Sequence, residues 1–80
     1  MSDGKQLGAM IRFHRRKARL TQGALAELSG VGKTVIFDIE KGKLSIRFDT
    51  LLKVLQVVNI QISWQSPLME LFTEELREKG

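Results

Sequence analysis

The sequence predicts an all-α domain of four helices, followed by one strand and a short closing helix. Three observations carry this prediction. Apolar residues recur every three to four positions in the segments 5–18, 22–29, 33–41 and 48–58. Three of those segments run into Gly30, Gly42 or Asn59, the residue types that best stop a helix in the left-handed conformation. From residue 59 the apolar period drops to two.

Each element follows from its own residues. In KQLGAMIRFHRRKA (5–18), Leu7, Ile11, His14 and Ala18 share one face with Met10 beside them, and Arg12, Arg16 and Arg19 lie on another. Asp3 suits the positive start of this helix. His14 is the one histidine, and its place on the apolar face makes it a packing residue rather than a ligand or base. In QGALAELS (22–29), Thr21 is the N-cap, Gly23 costs about 1 kcal/mol of helix propensity, and Gly30 takes the stop. In KTVIFDIEK (33–41), Gly32 precedes the first turn, Ile36 and Ile39 point inward and Gly42 closes. In FDTLLKVLQVV (48–58), Leu51, Leu55 and Val58 repeat on one face, widened by Phe48 and Leu52. NIQISWQ (59–65) then alternates, with Ile60, Ile62 and Trp64 on one face and Gln61, Ser63 and Gln65 on the other. Ser66-Pro67 is a cap followed by an N1 proline, opening a helix that carries Leu68, Leu71, Phe72, Glu75 and Leu76.

Eighty residues form one small domain with a modest core, here without a cysteine to staple it. Assembly with a second copy is the remaining common source of stability. Residues 1–58 read as the main domain and 59–80 as a strand and helix for dimerisation within the same compact unit. No signal peptide or membrane-spanning run is visible, so a soluble, cytoplasmic protein is expected. The net charge of +4 is unevenly placed: residues 1–48 carry ten Lys/Arg against four Asp/Glu, and residues 49–80 carry three against five. One half of the chain suits a polyanion.

The stretch SGVGKTV (29–35) spells the end of a phosphate-binding loop, Gly32-Lys33-Thr34. A full loop needs its first glycine at position 27, where this chain has Glu27, and a strand before it, where this chain has the helical pattern ALAEL. The stretch is better read as the centre of a helix-turn-helix. Ala26 allows two helices to cross closely, Gly30 tolerates positive φ in the turn, and Ile36 and Ile39 anchor the second helix while its other face stays free for a DNA major groove. With no cysteine, one histidine, and the glutamates of 70–78 interleaved with Arg77 and Lys79, no enzyme, cofactor or metal site is expected.

Arg15, LTQGALAELSGV (20–31), Ile36 and the ending Ile39-Glu40-Lys41-Gly42 resemble the lambda-repressor-like, XRE-type helix-turn-helix domains over roughly residues 5–58. The four helices followed by one alternating strand are similar to the HipB-like antitoxins of type II toxin–antitoxin systems. That resemblance implies a sequence-specific repressor of its own operon that binds double-stranded operator DNA. It also implies a HipA-like kinase toxin as partner. A stand-alone XRE-type repressor, or a protein-interaction module with the same fold, are the alternatives. The resemblance further implies that the strand pairs with its copy in a homodimer. Backbone physics points the same way, because a lone strand leaves its ladder groups unpaired.

The resemblance places base contacts at the start and outer face of the third helix: Lys33 and Thr34, then Phe37 and Asp38. Lys33 could donate to guanine, Phe37 could meet a thymine methyl, and Asp38 could accept from cytosine or else pair with Lys41 or Lys33. Gln22 matches the family position that holds a phosphate, next to the cap Thr21. Lys41, Lys43, Arg16 and Arg19 are further phosphate candidates within a basic run that includes Arg12 and Lys17. Arg15 and Glu40 match the family's structural ion pair between the first and third helices. Ile60, Ile62 and Trp64 are the dimerisation residues, and Trp64 and the acidic closing helix are possible surfaces for a toxin.

Overall fold

The computed structural model describes residues 3–79, with regular elements α1 (Asp3–Lys17), α2 (Gln22–Ser29), α3 (Lys33–Glu40), α4 (Phe48–Val57) and α5 (Met69–Lys79). Every helix end falls within two residues of its predicted place. Residues 1, 2 and 80 of the two predicted units lie outside the described residues.

One geometry closes the first four helices. After α2, Gly30 stands at φ 74°, its N–H donates to Glu27 O and the Val31 N–H reaches back to Ala26 O. The same pair of bonds recurs at Arg19 and Leu20, at Gly42 and Lys43, and at Asn59 and Ile60. Each satisfies two carbonyls that the helix itself leaves unpaired. Glycine takes the left-handed residue twice and asparagine once, as their backbone preferences favour. At α1 the residue is Arg19, at φ 60°, a position that the helix pattern did not reveal. The helix starts are less uniform. Thr21 Oγ1 accepts from the Ala24 N–H at 3.0 Å, whereas Gly32 starts α3 with no side-chain cap.

The core gathers Ile11 from α1, Leu25 and Ala26 from α2, Ile36 and Ile39 from α3, Val54 and Leu55 from α4, and Val58 just beyond it. α2 packs on α3 and α4, and α1 packs on α3. The α1 contact differs from the predicted stripe. Its buried residues are Gly4, Gly8 and Ile11; Ala18 is exposed, and His14 sits half-buried at the rim, with Nδ1 2.7 Å from Met10 O. The reason is the close approach of α1 to the end of α3. A Cβ on Gly8 would collide with Ile39 O and lie 2.8 Å from Glu40 O, and one on Gly4 would collide with Gly42 O. Glycines therefore take the line of contact, and the bulkier His14 is left to one side.

The predicted strand is not present as a strand: among the described residues none forms, and residues 60–66 are non-helical. A ladder needs two strands, and one chain supplies a single extended segment. Ile60 packs against the core, while Trp64 lies beside Phe48 with ring centroids 6.3 Å apart. α5 follows after Ser66 Oγ accepts from the Leu68 N–H, and none of its residues is buried. No helix among the described residues is long and apolar enough to cross a membrane.

Candidate nucleic-acid interface

α3 buries one side through Ile36 and Ile39, so the helical repeat turns Lys33, Thr34, Phe37 and Lys41 outward, and all four are exposed. These are the predicted base-reading residues except Asp38, together with one predicted phosphate residue. Lys41 holds its ammonium 5.1 Å from the centre of the Phe37 ring, a cation–π arrangement that brings positive charge against the one large apolar group of this face. The stem of Lys33 runs past the start of α2, with Cδ 4.0 Å from where a Gly23 Cβ would be.

The orientation of α3 is set by a polar network underneath. Arg15 Nε donates to Glu40 Oε2 at 2.6 Å and Nη2 donates to Oε1 at 3.0 Å. Nη1 donates to Leu20 O at 2.8 Å, and Gln22 Nε2 adds a bond to Glu40 Oε1 at 3.1 Å. The end of α1, the first residue of α2 and the last residue of α3 are thus joined at one carboxylate, and Arg15 ties in the turn after α1 through Leu20 O. The Arg15 and Glu40 side chains are only 11% and 4% exposed. Hydrogen bonding to Glu40 raises the Arg15 pKa above its ordinary value, desolvation opposes this, and the charge of Glu40 adds to the rise. Arg15 stays cationic throughout.

Gln22 therefore occupies two places at once. It begins α2, where phosphate binding is expected, and it also fastens Glu40. Asp38 differs from the expectation of a salt bridge to Lys41 or Lys33: its carboxylate lies 3.6 Å from Lys43 Nζ, and both side chains line the hollow between α3 and the following loop. The backbone turn at Gly42 brings Lys43 back over Asp38 and takes Lys41 to Phe37.

Arg12 is the residue that the sequence reading placed least well. It lines one hollow with Arg15, Gln22, Phe37, Glu40 and Lys41, so α1 contributes a cation beside the α3 face. Arg16, one turn further along α1, lines the adjoining hollow with Arg12, Phe13 and Lys17. The signal available in sequence was the i, i+4 spacing of Arg12 and Arg16. It says that they share a side of α1 but not which helix that side meets. Arg19 is exposed in the turn before α2. Ile60, Ile62 and Trp64 lie apart from all of these, along α4.

A short helix capped by Thr21, a turn at Gly30 and a second helix with an outward face rich in donors define a helix-turn-helix fold. The family model described as helix-turn-helix, HTH_3, matches residues 11–65, and the chain belongs to this family of DNA-binding transcriptional regulators. It is similar to the ImmF control region 10 kDa protein of Bacillus phage phi105, 33% identical over 63 residues that cover 79% of this chain and 70% of the relative. It is also similar to the uncharacterized HTH-type transcriptional regulator y4mF of Sinorhizobium fredii, 36% identical over 61 residues that cover 76% of this chain and 80% of the relative. The fold matches a chain of a solved HipA-HipB-O2-O3 complex with TM-score 0.72 at 21% identity, over 84% of this chain and 94% of that one.

Proposed function

We propose that the protein is a sequence-specific repressor that binds a two-fold operator as a homodimer in the cytoplasm and controls its own operon. The observation that supports this best is the joint at Glu40. It holds α3 against α1 and α2 while Lys33, Thr34, Phe37 and Lys41 remain exposed. Such a helix can enter a major groove without rearranging, so Lys33 and Thr34 read base edges and Phe37 meets a thymine methyl. Asp38, drawn towards Lys43, is the weakest of the base candidates. Lys41, Lys43, Arg16, Arg19 and the Thr21–Gln22 helix start contact phosphates, and Arg12 joins them. The two recognition helices then reach successive major grooves about 34 Å apart, or a multiple of that.

The finer reading is an antitoxin with a HipA-like kinase partner. Its support is the fold likeness to a chain solved in a HipA-HipB-operator assembly, together with the exposed apolar residues Leu71, Phe72 and Leu76 on α5. A stand-alone repressor is the second reading, favoured by the likeness to a phage control-region protein. A kinase-like gene beside this one would separate the two.

The test is a titration against DNA from upstream of the gene, with scrambled DNA as control, over a salt series. Selective binding with a steep salt slope is the expected result. Equal, weak binding to both DNAs would overturn the repressor reading and favour a protein-interaction module.

A further inference from the structure

Two exposed surfaces of this chain complement each other in charge and in apolar pattern. The first runs along the outer side of α1. There Ala9, Arg12, Phe13, Arg16 and Lys17 fall at i, i+3, i+4, i+7 and i+8 and line a hollow of about 580 Å³, within the roughly 300–1,000 Å³ of binding clefts. Ala9 leaves the middle of this stripe low, and Phe13 beside it is exposed. Among the described residues neither Arg12 nor Arg16 has a carboxylate partner, and Lys17 rests over the Phe13 ring. Glu40 also lines the hollow, but its charge is met by Arg15. The second surface is α5. Leu68, just before it, and Leu71, Phe72 and Leu76 keep between 54% and 66% of their surface exposed. Glu70, Glu74 and Glu78 form a row at i, i+4, i+8 that borders Leu71. None of the three has a basic partner among the described residues, whereas Glu75 pairs with Lys79. Like charges at that spacing destabilise an isolated helix, so α5 gains from a neighbour that is both basic and apolar.

We propose that α5 of a second copy docks antiparallel along this side of α1, with Leu71 and Phe72 over Ala9 and Phe13 and with Glu74 and Glu78 against Arg12 and Arg16. The direction follows from the helical repeat. Viewed from its own start, each helix carries its charged row on the same side of its apolar row, so only opposed directions bring the two charged rows together. The lengths agree, because positions 9 to 17 of α1 advance about 12 Å and the residues of α5 about 16 Å. A second copy is the occupant because no residue of α5 lines the hollow of its own chain. There the segment before α5 is held by Ile60 on the core and Trp64 beside Phe48. Each copy offers one helix and one hollow, so two copies that exchange helices close with two contacts. The contact needs no pairing of residues 59–65. Its consequence for DNA rests on the reading of Arg12 and Arg16 as phosphate contacts: the exchanged pair is a DNA-free form, in which α5 and a nucleic acid compete for the same cations.

The chain has no cysteine, so thiols can be placed one at a time. The Ala9→Cys chain is mixed, without DNA, with either the Lys79→Cys or the Leu68→Cys chain and treated with a short bismaleimide. Antiparallel docking sets Ala9 near the end of the other copy's α5. Lys79→Cys is therefore expected to give the mixed cross-linked dimer at low salt, with a loss of about fivefold at roughly 0.5 M salt, and Leu68→Cys to give little. Stronger cross-linking to Leu68→Cys would overturn the direction of docking. Arg12→Glu with Arg16→Glu, added to the Ala9→Cys chain, is expected to abolish the product, and Glu74→Lys with Glu78→Lys in its mate to restore it. A yield indifferent to both changes would overturn the contact, as would no cross-link from any mixture of chains that circular dichroism shows to be folded. A chain carrying both Ala9→Cys and Lys79→Cys that cross-links only within itself would overturn the second copy as occupant. Scrambled DNA is expected to suppress the product. A yield unchanged while the DNA is bound would overturn the competition and the phosphate role of Arg12 and Arg16 and leave the docking standing, so the two failures are distinguishable.

Discussion

Arg15 and Glu40 meet in a two-bond fork, Nε to Oε2 at 2.6 Å and Nη2 to Oε1 at 3.0 Å, across 25 residues of chain. Little of either side chain reaches solvent, and Leu20 O and Gln22 complete the arrangement. The pair makes the orientation of α3 a property of the whole helix-turn-helix rather than of the turn alone.

Removal of one partner from this fork leaves the other charge largely enclosed. Glu40→Ala is expected to lower stability by about 3–5 kcal/mol, and Glu40→Gln to lower it less, because the amide still accepts one bond. Urea denaturation measures this; an unshifted midpoint for Glu40→Ala would show the fork to be worth nothing. The pH dependence has a definite sign on the arginine side. The folded pKa of Arg15 lies above its ordinary value, so its contribution is complete below the unfolded pKa and is lost only as pH rises through the folded one. Stability followed from pH 6 to 9 should therefore show no loss traceable to Arg15.

Gly8→Ala sets helix propensity against packing. Alanine is favoured in a helix by about 1 kcal/mol, but its Cβ would collide with Ile39 O and lie 2.8 Å from Glu40 O. Backbone carbonyls at the end of α3 cannot move without disturbing the fork beside them. The variant is expected to be destabilised by roughly 1–3 kcal/mol net. A raised melting temperature would mean that α1 can lift away from α3.

Arg19→Gly reverses that logic. Arg19 holds a left-handed backbone at φ 60° that an L side chain adopts at a cost of about 1 kcal/mol or more. Glycine removes that cost and loses more entropy on folding, for a net gain up to about 1 kcal/mol, or a few degrees in melting temperature. The same substitution should weaken binding to all DNAs and flatten the salt slope if Arg19 holds a phosphate. Thermal denaturation and a salt titration of one variant test both statements.

Lys33→Ala with Thr34→Ala should lower preference for the operator over scrambled DNA more than it lowers binding to scrambled DNA. Lys41→Ala should weaken both DNAs alike and reduce the salt slope by about one phosphate. Parallel losses on both DNAs for the Lys33 and Thr34 variant would remove those residues from base reading.

Much of this protein was legible in its sequence because helices are local. The 3.6-residue repeat of Leu51, Leu55 and Val58, the cap at Thr21 and the stops at Gly30, Gly42 and Asn59 depend on neighbours a few positions away, and the structure places them as the pattern requires. The Arg15–Glu40 pair was reached differently, through the motif shared with the family. Apart from the predicted strand, which needs a second strand to form a ladder, and the left-handed Arg19, the departures concern how elements face one another. Gly8 falls inside the predicted first helix and Gly4 just before it. Nothing in the pattern marks either until the end of α3 is set against them, and His14 moves to the rim for the same reason. Arg12 lies on the α3 side of α1, and Asp38 pairs with Lys43 because the turn at Gly42 returns the chain over it. The sequence by itself determined where helices begin and end, since hydrogen bonds within a helix span only a few residues. Only the tertiary structure decided which side of each helix meets which neighbour, because crossing angle and rotation arise from contacts between residues far apart in the chain.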